Sequence, residues 1–97
     1  MNEHPPEQQI QDYIAYLEAW EFVERVDINI KYNPYDIKFG PNTTMRVDIL
    51  FTDGIEWHDT PMRSGREGDN DYTKQPALFI ATSKFVFHRH IKSKYKI

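Results

Sequence analysis

Between residues 23 and 26 the spacing of the apolar residues changes, and the chain on either side has to be read by a different period. Upstream, Ile10, Tyr13, Ile14, Tyr16, Leu17, Trp20 and Val23 fall on one broad face when successive residues are set about 100° apart. Pro5-Pro6-Glu7 ahead of them suits a first helical turn, where proline forfeits no hydrogen bond and a carboxylate meets the positive end of the helix dipole. The stripe predicts a helix from this proline pair to about residue 23. Downstream, Val26-Asp27-Ile28-Asn29-Ile30-Lys31-Tyr32 alternates apolar with polar, which is the period of a half-buried strand. A helix followed by a run of strands belongs to the α+β class.

The strands can be placed by the same alternation. Asn33-Pro34-Tyr35-Asp36 reads as a turn, and Ile37-Lys38-Phe39 as a short edge piece before Gly40-Pro41. Met45, Val47, Ile49 and Phe51 alternate with Arg46 and Asp48 to give a second strand, and Ile55 to Asp59 returns beside it. Register decides the loop between them. A two-residue loop would set Ile49 opposite His58. A three-residue loop, Thr52-Asp53-Gly54, sets Phe51 opposite Ile55 and Ile49 opposite Trp57. It keeps one face apolar, and Gly54 suits its left-handed position. The same register brings Asp48 and His58 together.

Residues 60–75 have no apolar periodicity and read as a flexible loop. Ala77-Leu78-Phe79-Ile80-Ala81 reads as a strand covered on both faces, and Lys84 to Ile97 as one or two strands with a basic outer face. The expected architecture is a single domain over 1–97, with one N-terminal helix packed on a mostly antiparallel sheet of four or five strands. Tyr13, Leu17 and Trp20 should face Ile28, Ile30, Val47 and Ile49.

Few residues suggest chemistry. With no cysteine there is no thiolate zinc site and no cysteine nucleophile. On a strand, His88 and His90 would point the same way and could chelate a metal, but the surrounding lysines repel a cation. Asp36-Ile37-Lys38 with Asp27 has the carboxylate-x-lysine spacing of some metal-dependent nucleases, a short pattern common by chance. Gly65-Arg66-Glu67-Gly68 has the spacing of a phosphate-clamping loop, without the flanking helices that loop needs. The expectation is a protein without catalytic residues, metal or cofactor. The sequence contains neither a membrane-length apolar run nor a leader-like start, so a cytoplasmic location is expected.

Charge is laid out unevenly. The net charge is −3, yet residues 1–30 carry seven acids and one base, and residues 84–97 carry five bases and no acid. Glu18, Glu21 and Glu24, with Asp27 beyond, would form an acidic ridge along the last turns of the predicted helix. There they oppose the helix dipole and one another. One explanation is pairing with Lys92, Lys94 and Lys96 in the same chain; the other is a cationic surface on a partner. The lysines themselves fit either a basic strip that tracks phosphates or the protection of a sheet edge.

In size, absence of cysteine, single-domain character and acidic ridge, the chain resembles the small phage-encoded inhibitors of CRISPR–Cas complexes, the anti-CRISPR proteins. The resemblance implies binding in place of catalysis. The partner would be a protein complex with a basic nucleic-acid-binding surface, met through a partly DNA-mimicking acidic face in the cytosol of an infected host. The alternative reading is a small nucleic-acid-binding protein using the C-terminal basic strand, Lys92, Lys94 and Lys96.

Overall fold

A computed structural model of the chain describes residues 6–35, 37, 42–61 and 76–97. The elements in chain order are α1 (Pro6–Glu18), β1 (Val23–Asn33), β2 (Asn42–Phe51), β3 (Glu56–Asp59) and α2 (Pro76–Tyr95). The three strands form one antiparallel sheet in the order β1-β2-β3, so the fold is α+β. Tyr13 and Leu17 of α1 and Phe79, Phe87 and Ile91 of α2 are buried in one core with Val26, Val47, Ile49 and Phe51 of the sheet. Alternation puts those strand residues on a single face, so both helices cover that face and the other is open. The open face carries Arg25 and Asp27 of β1, Arg46 and Asp48 of β2, and Glu56 and His58 of β3.

The β2–β3 hairpin has the register expected from its patterning. Ile49 pairs with Trp57 and Asp48 with His58. The loop closes through Phe51 N–H to Ile55 O at 2.9 Å and Gly54 N–H to Phe51 O at 2.9 Å. Trp57 is half-buried, stacked on His90 of α2 with ring centres 5.6 Å apart. Gly54 has φ of +86°, and a Cβ built there would meet nothing within 4 Å. A side chain therefore meets a backbone penalty and no clash. We expect Gly54→Ala to cost about 1 kcal/mol, a drop of roughly 4–8 °C in Tm, and Gly54→Asn to cost less, as thermal melts would show.

Three expectations need correction. The first helix starts at Pro6 as predicted but ends at Glu18, not near residue 23. The chain leaves it through two successive tight turns, Trp20 N–H to Leu17 O at 3.2 Å and Val23 N–H to Trp20 O at 3.0 Å. These i→i−3 turns keep a near-helical pitch, so Trp20 and Val23 still land inward and lengthen the stripe. Phe22 marks the true end. On a continued helix it would lie about 40° from Glu18, on the polar side. Instead it turns inward to stack on Trp20 at 5.4 Å and on Tyr95 at 4.1 Å.

The C-terminal segment is helix α2, not strands, which reduces the sheet from the expected four or five strands to three. Its buried residues Phe79, Ile80, Ser83, Phe87 and Ile91 recur at three- and four-residue spacing. The odd-numbered alternation of Phe85, Phe87, Ile91 and Tyr95 coincides with that stripe in part, and it misleads because Phe85 is exposed. Length argued for helix as well: no turn signal interrupts the 20 residues, far beyond an ordinary strand. Lys92 and Lys94 in the last turn suit the negative end of the dipole.

The third correction concerns Ile30, which shares the inward face of β1 yet is 42% exposed. Tyr13, Leu17, Val47 and Ile49 are buried as expected, with Trp20 and Ile28 half-buried against them. Ile37, expected in an edge strand, lies in a turn and is fully exposed. Asp36, Lys38 and Phe39, the Gly65–Gly68 pattern and residues 62–75 of the expected loop lie outside the described residues. Among the described residues no helix is long and apolar enough to cross a membrane.

Candidate functional site

The four acids singled out in the sequence do not form a helical ridge. Glu18 ends α1, Glu21 sits in the turn after it, and Glu24 and Asp27 lie on β1. All four are exposed, so the acids occupy the corner where α1 turns into β1. The helix-dipole argument survives for Glu18 alone. Asp27 is held by Arg25 at 3.4 Å on the same strand. Glu18, Glu21 and Glu24 form no ion pair among the described residues, and the anticipated pairing with the C-terminal lysines is not there.

Those lysines are separated by the helix. Lys94 swings toward the hairpin, bonds Asp53 at 2.7 Å and lies over the Phe51 ring at 4.9 Å. The Lys94 hydrogen bond, with a second from the Ile55 N–H, holds the Asp53 carboxyl below the usual carboxylate range. Lys92 is exposed at the groove between the helices, and Lys96 is exposed beyond the end of α2. The three therefore make no continuous strip.

His88 and His90 are likewise parted, because two residues along a helix turn about 200°. His88 is hydrogen-bonded to the Tyr16 hydroxyl. His90 packs between Trp57 and Phe51, where burial and then the Lys94 charge hold its pKa below the ordinary histidine value. Among the described residues no three His, Cys, Asp or Glu side chains gather in a way that could hold a metal ion.

The Asp48–His58 pair lies where the hairpin register places it, while the Arg46 contact beside it and a second polar cluster were beyond the sequence reading. On the open face, Asp48 Oδ1 accepts from Arg46 Nε at 2.8 Å and meets His58 Nδ1 at 2.6 Å. Burial pushes Asp48 up, but the hydrogen bonds and charges of Arg46 and His58 outweigh it and lower its pKa. Under the helices, the Tyr13 hydroxyl and Ser83 Oγ are 2.6 Å apart, both fully buried. Asp59, inward-facing at the end of β3, joins them through Ser83, and burial raises its pKa despite that bond. Tyr13 is pushed above its ordinary pKa by burial too, with Ser83 opposing and Asp59 adding to the rise. Ser83 and Tyr13 are almost fully enclosed, at 0% and 1% exposure.

Among the described residues, a groove of about 560 Å³ lies between α1 and α2, within the range of ligand pockets. Its walls include Tyr16, Trp20 and Phe85, and its rim His88, Arg89 and Lys92. Among the described residues no acidic side chain lines it. The arrangement can hold a flat group and an anion together. No protein-family model, no curated protein and no solved structure matches the chain.

Proposed function

We propose that this chain is a non-enzymatic binding protein that blocks a nucleic-acid-handling complex of the CRISPR–Cas kind. Its acidic corner, Glu18, Glu21, Glu24 and Asp27, would occupy a basic surface on that complex. The observation that supports this reading is the free state of the first three acids: exposed, within seven residues, and without an ion pair among the described residues. Charges that satisfy nothing within the fold are available to steer and hold a cationic partner.

The experiment is a titration of wild type and a Glu21→Lys, Glu24→Lys double variant against purified Cas effector complexes. Binding should weaken about tenfold, roughly 1.4 kcal/mol, and more steeply with salt in the wild type. Because both residues lie outside the helix and form no ion pair among the described residues, the melting temperature should stay within a few degrees. A variant that binds as well as wild type ends the reading.

A second reading, a small nucleic-acid-binding protein, is favoured by one observation. The exposed side of the C-terminal helix carries Arg89 and Lys92, followed by Lys96, with no acid among residues 84–97. Capture of a partner that disappears on nuclease treatment supports this second reading; nuclease-resistant capture supports the first.

A further inference from the structure

We infer that the groove between α1 and α2 takes one nucleotide unit of a single-stranded nucleic acid, its base against the aromatic walls and its phosphate against Arg89 and Lys92. The inference rests on the second reading of the function and names its site.

Four observations carry it. Tyr16, Trp20 and Phe85 line one groove, and Phe85 is 63% exposed there. Trp20 is stacked on Phe22 and meets Tyr16 and His88 edge-on, so its ring is held in place before any ligand arrives. The Tyr16–His88 hydrogen bond ties the α1 wall to the α2 wall in the same way. Among the described residues no acidic side chain lines the groove beside these cations, so an incoming phosphate would displace no ion pair with any of them.

The charge selects an anion, and the aromatic walls decide which. An acidic peptide would use Arg89 and Lys92 but gain little from three flat rings. A base has a π-face for them, and stacking is worth about 1–3 kcal/mol per base by alanine substitution. A duplex would bury its bases and present phosphates alone, leaving the rings unused. Among the described residues, Glu18, Glu21, Glu24 and Asp27 lie at the α1–β1 corner and Asp48 and Glu56 on the open sheet face, not in the lining of the groove.

The test is fluorescence anisotropy of a short labelled oligothymidylate across a salt series, with Phe85→Ala, an Arg89→Ala, Lys92→Ala pair, and Lys31→Ala. Lys31 is an exposed cation on β1, away from the groove. Thermal melts identify any variant that fails to fold. Phe85→Ala should weaken binding about tenfold with an unchanged salt slope, because it removes stacking and no charge. The Arg89, Lys92 pair should lower the slope of log affinity against log salt by about 0.7, the value for the one phosphate they hold on a single strand. Lys31→Ala should do neither. If the oligonucleotide binds but Phe85→Ala matches Lys31→Ala, the groove is not the site, while the nucleic-acid reading stands. If wild type binds no oligonucleotide at low salt, both are overturned. If an oligoglutamate peptide binds more tightly than the oligonucleotide and ignores Phe85→Ala, the occupant is an acidic peptide and the inference fails.

Discussion

Phe87→Ala should cost about 3–5 kcal/mol, while Phe85→Ala, two residues away, should cost less than about 0.5. Phe87 is fully buried and holds three elements together. Its ring lies 6.3 Å from Trp20 in the turn after α1 and 5.9 Å from Trp57 on β3. Truncation removes the apolar contact and leaves a cavity that the two tryptophans cannot fill without leaving their other partners. A domain of this size has only about 5–15 kcal/mol of net stability, so the loss should lower Tm by more than about 12 °C. The comparison also tests the secondary structure. On a strand, residues 85 and 87 would share a face and the two truncations would cost alike. On a helix they lie about 200° apart and the costs separate. Equal losses in urea melts would return the segment to the sheet.

That pair explains where the sequence was legible and where it was not. The β2–β3 hairpin could be read because one wrong step in register would mix apolar and polar residues on the same face, and Gly54 stands where the loop needs a left-handed residue. The start of α1 could be read from Pro6 and Glu7. The end of α1 was hidden because tight turns deliver Trp20 and Val23 to the same side that a helix would, and only Phe22 disagrees. Helix α2 was hidden by its exposed apolar residues. Leu78 and Phe85 sit off the buried stripe, dilute the helical period and feed the alternating one. Phe85 is therefore both the residue that misleads the fold assignment and a wall of the groove. A local rule broken at an exposed aromatic is a pointer toward function.

The candidate site was legible only as composition. The acids and bases were visible, but their grouping followed from the wrong element boundaries. A helix to residue 23 made a strained ridge of Glu18, Glu21 and Glu24, whereas the actual turn makes a relaxed corner. A strand over residues 92–96 aligned three lysines, whereas the helix sends Lys94 to Asp53 and away from Lys92. The groove required two helices to be known at once, since Tyr16 and Trp20 come from one end of the chain and Phe85 to Lys92 from the other.

Asp59→Leu should raise stability at neutral pH by about 2 kcal/mol, and the gain should shrink on acidification. Asp59 points under the helices, and its Oδ2 is buried without a hydrogen-bond partner. An unsatisfied buried polar atom costs about 1–3 kcal/mol, more when charged. Removing the side chain takes away the acceptor of the Ser83 hydroxyl, but that hydroxyl keeps its bond with the Tyr13 hydroxyl at 2.6 Å and, on a helix, can turn its own proton to the carbonyl four residues back. The pH dependence follows from the raised pKa of Asp59, which burial causes and the Ser83 bond only partly offsets. A carboxyl whose pKa is higher folded than unfolded binds its proton more tightly in the native state. Its penalty is therefore fully present above the folded pKa. The penalty is relieved as the pH falls through that value, and gone below the unfolded value of about 3.9. Asp48 and Asp53 have lowered values and act with the opposite sign, yet they titrate in both proteins and cancel in the difference. The quantity to follow is the Tm of Asp59→Leu minus that of wild type, from neutral pH down to about pH 4. It should be positive and several degrees at neutral pH and should fall steadily on acidification. A negative difference at neutral pH, or one that does not change with pH, would mean that the carboxylate of Asp59 is satisfied in the native state and stabilises it.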